Sequence, residues 1–273
     1  MPPLGLTSHR RQAYWARCLC LLSLALAPDS YSDMPRRLRS IESPDLVGFR
    51  LRGREVTRLE SFSDAVFAFA LTLLVVSLDV PKTFADLVTT MRGFPAFALC
   101  FLLLALIWNG HYRYCRSYGL DDGTARFLTC VMLFLVLFYV YPLKFLFNFS
   151  ITSLFFDGSA QPVSMTHSQF STLLIIYGVG FAAVYLAMTL LYLHAYRLRE
   201  ALQLTELEEF DTRYAIFRLL TLTGFGLIAA VLAYIPLTRS WSTLVYILLF
   251  PILRTSRFLH RRRRAPYLKA LTH

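Results

Sequence analysis

Five stretches of this sequence, residues 62–80, 94–112, 127–147, 170–193 and 214–235, are nearly unbroken runs of apolar side chains. Each is close to the ~20 residues that a helix rising 1.5 Å per residue needs to cross ~30 Å of hydrocarbon. No water is available at that depth to bond N–H and C=O groups, so a crossing segment has to satisfy its own backbone, and a helix does. A sixth run, 241–253, is short; extended back to Pro236 it nearly suffices, but then it includes Arg239. The expectation is an all-α polytopic membrane protein with six transmembrane helices per chain. Composition agrees: 56% of the 273 residues are hydrophobic and 16% are charged, against about 25% charged in soluble domains.

Basic residues orient such a bundle, because loops rich in Lys and Arg stay on the cytoplasmic side. Ahead of the first run, from Met34, stand Arg36, Arg37, Arg39, Arg50, Arg52, Arg54 and Arg58. The turn after the second run has Arg113, Arg116 and Arg126, the region around the fourth connection Arg197, Arg199, Arg213 and Arg218, and the tail another seven, including "RRRR" at 261–264. The other side offers only Lys82, Arg92 and Arg239, with Lys144 near the end of the third run. Both termini are thus expected in the cytoplasm, which requires an even number of crossings. The net charge of +11 follows from the same rule together with contact to anionic lipids at the cytoplasmic face; no aromatic or glycine-rich RNA-binding pattern accompanies it.

Residues 1–33 have the outline of a signal peptide, in "HRRQAYWARCLCLLSLALAP". Cleavage there would put the arginines of 36–58 outside, against the charge rule. We therefore expect translation to begin at Met34, with 1–33 a doubtful extension, 34–57 a basic cytoplasmic segment, 58–253 the six-helix domain and 254–273 a basic cytoplasmic tail. The use of 25 Arg against three Lys points to a GC-rich bacterial genome and so to a bacterial plasma membrane. Five cysteines without a C-x-x-C pair give neither a disulfide framework nor a zinc site. No phosphate loop or nucleophile elbow is present, so no cofactor and no enzymatic activity is expected. "ELEEFD" at 206–211 reads as a solvated acidic loop balanced by arginines.

The first run opens with charge: "RLESFSDAVFAFALTLLVVSLDVP" puts Asp64 about one turn inside a membrane helix. A carboxylate there costs at least ~2.5–3.5 kcal/mol unless it is paired or faces water. The second run returns antiparallel and ends "LIWNGHYR", so Trp108 and His111, three apart on one helix face, lie level with Asp64. A carboxylate accepting from the His111 imidazole, with Ser63, Trp108 and Asn109 as further partners, would offset that cost. An interfacial His111 facing water and a Trp108 anchoring in the headgroups remain open.

Arg58-x-x-x-Phe62-Ser63-Asp64 ahead of a long apolar helix resembles the signature of the transmembrane protein 175 family of potassium channels. Trp108-x-x-His111, closing the second run, is similar to that family's pattern as well, and the resemblance extends over about residues 54–253. It implies a potassium-selective, leak-type channel in which the first helix lines the pore and four copies of this single-repeat chain surround the axis. It also implies that hydrophobic side chains of that helix, not a filter loop, form the constriction, while Phe62, Ser63 and Asp64 tie the helix to its neighbours; Arg58 is expected to join them in the polar cluster. Potassium would be permeant, not bound as a cofactor.

Phe69, Thr72, Leu73 and Val76 occupy i, i+3, i+4 and i+7, one face of a helix. By the resemblance, the constriction begins at Phe69 and Thr72 holds a hydroxyl within reach of the ion; by periodicity alone, the same face equally suits packing. Phe69 stands where bacterial relatives usually carry Ile or Leu, and Ala65 where glycine is common. Two other classes stay on the table: a proton-coupled transporter relaying through Asp64 and His111, and an intramembrane enzyme using that pair as acid and base.

Overall fold

The computed structural model describes residues 49–53, 55–76, 82–155, 167–235 and 239–270; the leader, the Met34 start and nearly all of the basic segment lie outside them. The regular elements among the described residues are all helices: α1 (Arg58–Val76), α2 (Phe84–Arg92), α3 (Phe94–Tyr118), α4 (Gly123–Phe155), α5 (His167–Arg197), α6 (Glu206–Tyr234) and α7 (Arg239–Ala270). Residues 50–249 form one compact unit, and α7 from Phe250 onward belongs to another.

Each of the six apolar runs contains a helix, but most of the helices overrun the hydropathy limits. Hydropathy marks only the part that suits lipid, whereas a helix continues until something caps it. α3 extends to Tyr118 because Gly119 takes the left-handed conformation (φ 61°) and returns its N–H to the Cys115 carbonyl at 2.9 Å, a stop for which glycine is the cheapest residue. α6 begins at Glu206, well before its apolar run, because Thr205 and Glu208 form a reciprocal capping box. α2 was not expected at all. It follows a second capping box, Thr83 with Asp86, in what hydropathy reads as a bare connection.

α3, α4, α5 and α6 are long and apolar enough to cross a membrane. α1 has the length but carries Arg58, Glu60 and Asp64 in its first two turns. Along the unit, α1 packs on α3 and α4, α3 on α4, α4 on α5, and α5 on α6. The last pairing is the tightest in backbone terms. A Cβ added at Gly178 would stand 2.8 Å from the Gly226 carbonyl oxygen, and one at Gly226 would stand 2.9 Å from that of Gly178. Buried Ala182, Ala229, Ala230 and Ala233 extend this contact. Lipid is as apolar as leucine, so helices in a bilayer associate through such close van der Waals approach. Tyr114, Tyr118 and Tyr192 add an aromatic knot between α3 and α5, with centroids 5.4–5.7 Å apart.

Candidate functional site

α1 starts where the sequence supplies a cap: Thr57 Oγ1 accepts from the Glu60 N–H at 3.1 Å. Leu59, Ser63, Phe67, Ala70 and Leu74 then form a buried stripe at spacings of four, four, three and four, which is the face turned to the bundle. Ser63, fully buried, donates to the Leu59 carbonyl at 2.8 Å. The opposite face is left open. Phe62, Phe69 and Val75 are 53%, 56% and 50% exposed, and Ala65, Ala68 and Thr72 are exposed between them. Leu73 is half-buried, at the edge of that face, and the Val76 side chain lies outside the described residues. Thr72 Oγ1 donates to the Ala68 carbonyl at 2.9 Å, so its lone pairs remain directed away from the helix.

Two carboxylates one turn apart on α1 meet two side chains two turns apart on α3. The Trp108 indole N–H donates to Asp64 Oδ1 at 2.7 Å, and the Arg116 guanidinium lies 3.3 Å from Glu60 Oε1. Between them Tyr112 stacks on Trp108 (centroids 5.7 Å) and supports Arg116 against its ring. Trp108, Tyr112 and Arg116 thus form an i, i+4, i+8 ladder along α3, facing α1 in the antiparallel register expected from their positions.

The expected partnership of Asp64 with His111 takes another form. His111 is 1% exposed and its ring sits against Thr129 Oγ1 of α4 at 3.5 Å and Cys115 Sγ at 3.8 Å. Three residues along a helix turn the side chain by about 300°, leaving ~60° between Trp108 and His111. That is enough for Trp108 to face α1 while His111 faces α4. Of the other residues singled out above, Ser63 is enclosed, whereas Phe62 and Asn109 are exposed and Arg58 is exposed without an ion-pair partner among the described residues. No group of three or more His, Cys, Asp or Glu side chains among the described residues is arranged to hold a metal ion.

Sequence reasoning missed a second cluster at the same end of the unit. Residues 50–53 run as a strap beneath the ends of α3 and α6. Gly53 exchanges two bonds with Arg116, N–H to carbonyl at 3.1 Å and carbonyl from Nη1 at 2.8 Å. It passes so close to the Cys115 carbonyl oxygen that any Cβ would collide with it. Glu208, read above as part of a solvated loop, is fully buried. It accepts from Arg52 Nη2 at 2.8 Å, from the Arg50 N–H at 2.7 Å and from the Thr205 N–H at 2.9 Å. The signal was available: Thr57-x-x-Glu60 and Thr205-x-x-Glu208 are both capping-box patterns, which fix a glutamate at a helix start instead of leaving it in solvent.

Comparison with known proteins matches this arrangement at its centre. The family model described as endosomal/lysosomal potassium channel TMEM175 matches residues 58–142, which span α1, α2, α3 and the first part of α4. A potassium channel of Marivirga tractuosa is 36% identical over 216 residues, covering 75% of this chain and 87% of that protein. One from Chamaesiphon minutus is 30% identical over 105 residues, covering 36% of this chain and 52% of that protein. Among solved structures, the potassium channel MtTMEM175, crystallised as a threonine-to-alanine variant with a nanobody–MBP fusion, superposes with a TM-score of 0.70 at 35% identity, covering 78% of this chain and 97% of that one.

Proposed function

The chain belongs to the TMEM175 family of potassium channels, and on that premise we propose that it is a leak-type, potassium-selective channel in which four copies bring α1 to a common axis. The observation that carries the reading is the open face of α1. A membrane helix with Phe62, Phe69 and Val75 half exposed and Thr72 among them is held by its own chain on one side only. A pore at that face gates by wetting or drying an apolar neck, with Phe69 as the bulkiest ring, Leu73 and Val76 continuing it, and the Thr72 lone pairs available to a partly dehydrated cation. Of the polar cluster read from the sequence, Asp64 with Trp108 and enclosed Ser63 hold the first turns of α1, His111 packs toward α4, and Arg58, Phe62 and Asn109 are left for contacts with neighbouring copies. Six crossings require α1 and α7 to span alongside α3, α4, α5 and α6. That Asp64 bonds to Trp108 while His111 packs toward α4 favours the channel over a proton relay through that pair.

The same reading sets both termini in the cytoplasm of a bacterial cell. No Asp or Glu follows Asp211, and Arg254, Arg262 and Arg263 are exposed, which suits anionic headgroups of the inner leaflet. Reporter fusions at Ser168 and Arg257 should read outside and inside respectively; an outside signal at Arg257 sinks the six-crossing topology. Potassium flux into liposomes holding the purified chain tests the function itself. Passive flux without a proton gradient, favouring K⁺ over Na⁺, is the expected result, and flux that appears only with a proton gradient would replace the channel by a transporter.

A further inference from the structure

α1 lies against α3 and α4, yet the segment that leads into it is bonded to α6. Arg52 makes a two-pronged ion pair with Glu208, at 2.8 and 3.2 Å, and its Nε donates to the Leu202 carbonyl at 3.0 Å. The Arg50 guanidinium donates to the Gln203 carbonyl at 3.0 Å. Glu208 is itself immobilised, because one oxygen caps Thr205 and its own carbonyl accepts from Thr212 at 2.6 Å. Thr212 in turn shares a hydrogen bond with Tyr118 at 2.7 Å; its proton is committed to Glu208, so Tyr118 donates. A fully buried carboxylate with all these donors is a strong and directional anchor, since charge-assisted bonds gain strength in a low-dielectric site. Between Gly53, pinned under Cys115, and Thr57, the cap of α1, the chain has only three residues. That is too short a tether to absorb a displacement.

We propose that Glu208 is a positioning residue for conduction: through Arg52 and the backbone of Arg50 it fixes the strap, and the strap fixes the tilt of α1. The proposal rests on the channel reading, which makes α1 the pore helix. Neither Glu208 nor Arg52 lies within the stretch matched by the family model, and neither reaches the face of α1 assigned to the pore. Their effect is exerted at a distance, by holding an apolar neck wide enough to stay wet. Releasing the strap lets α1 relax toward its neighbours on the axis and closes the neck.

The full chain in liposomes tests this with Arg52→Gln, Glu208→Gln and the double variant, followed by K⁺ flux and by trypsin cleavage after Arg50, a site that every variant keeps. Each single change should increase cleavage and lower flux roughly threefold or more, a scale typical of coupling between packed elements, and the double should be no worse than the worse single. Glu208→Asp, which keeps the charge one methylene short, should recover part of the flux. Arg126→Gln, breaking an exposed pair with Asp121 at 3.8 Å, should alter neither readout. If Glu208→Gln does not assemble, Gly53→Ala lifts the strap off α3 with every charge in place and carries the same expectation. Increased cleavage with wild-type flux overturns the proposal, as do unchanged cleavage or additive losses. A wild-type chain that passes no K⁺ overturns the channel reading and this proposal with it.

Discussion

α5 and α6 on one side and α1 on the other solve the problem of packing in lipid in opposite ways. The α5–α6 pair is complete within the chain: glycine faces glycine, alanines line the seam, and the two backbones touch through atoms that no larger residue could replace. α1 keeps one narrow stripe for its own chain and leaves phenylalanines, a valine and a threonine open. Its attachment is polar, through Asp64 with Trp108, Glu60 with Arg116, and the strap. α1 is held at one end and along one stripe, whereas the α5–α6 pair is joined backbone to backbone. The pair is a frame complete in itself, and α1 is a helix that its own chain covers on one face.

The largest effect should come from opening the frame. At Gly226 a Cβ would meet the Gly178 oxygen, the Ala182 nitrogen at 3.0 Å and the Phe181 ring at 3.0 Å, two of them backbone atoms that cannot turn aside. Gly226→Val should cost at least the ~3 kcal/mol at the top of ordinary overpacking penalties, enough to abolish monodisperse protein in detergent. Combining it with Gly178→Val should cost little more than either alone, because the first change already separates the helices. Additive losses of yield or melting temperature would mean that the two glycines do not share one seam.

Next come substitutions that tell the two faces of α1 apart. Leu74 is 1% exposed and Phe69 is 56% exposed, so the same change to Asn should act on different quantities. Leu74→Asn buries an unpaired amide and should lower stability by about 1–3 kcal/mol without creating an ion path. Phe69→Asn should leave the melting temperature near wild type and raise ion leak by wetting the neck, and Leu73→Asn, at the edge, should do both in part. Thr72→Val should reduce preference for K⁺ over Na⁺ more than total flux. Unchanged flux for assembled Phe69→Asn and Leu73→Asn removes α1 from the pore.

This contrast also explains which features were legible in the sequence. Apolar runs are a property of composition over about 20 residues, so the helices and the antiparallel level of α1 and α3 could be read directly. Glu60, Arg116, Arg52 and Glu208 could not be found by hydropathy, because they lie in polar segments whose destination depends on the fold. Asp64 was identified as needing a partner, but choosing between Trp108 and His111 turns on ~60° of helix rotation. The glycine seam left even less trace: Gly178 and Gly226 sit inside runs that read as uniformly apolar, and only the backbone approach shows why nothing larger fits. α2 was hidden for a different reason, its capping box being shorter than any window used to seek a crossing.

A smaller effect belongs to the α1–α3 ladder. The Trp108–Asp64 bond is exposed, so Trp108→Phe and Asp64→Asn should each cost on the order of 1 kcal/mol, below the ~1.5–3 kcal/mol of an enclosed bond to a charged group. The double variant should lose less than the two added. His111→Ala with Asp64→Asn serves as the contrast, since His111 bonds toward α4, and its loss should add to that of Asp64. Melting temperatures of the three single and two double variants decide which side chain of α3 holds the carboxylate.

The smallest effect tests how the frame is joined to the turn before α4. Asp122 bonds to His194 of α5 at 2.9 Å and accepts from the Thr124 N–H at 3.1 Å. Partial burial works to raise the Asp122 pKa, but the adjacent imidazole and these hydrogen bonds outweigh it and hold the carboxyl below the ordinary carboxylate range. A carboxylate with a depressed folded-state pKa contributes stability above its unfolded value, near 3.9, and loses it as the pH falls through the folded value. The Asp122 side chain is 40% exposed, so the contribution should be that of a surface pair, ~0.2–1 kcal/mol. Wild type should therefore melt slightly above Asp122→Asn from pH 7 down to about 5, and the gap should close on further acidification below about 4. A gap that stays constant into acid would assign the difference to something other than this carboxylate, and the frame would then be joined to the α3–α4 turn by packing alone.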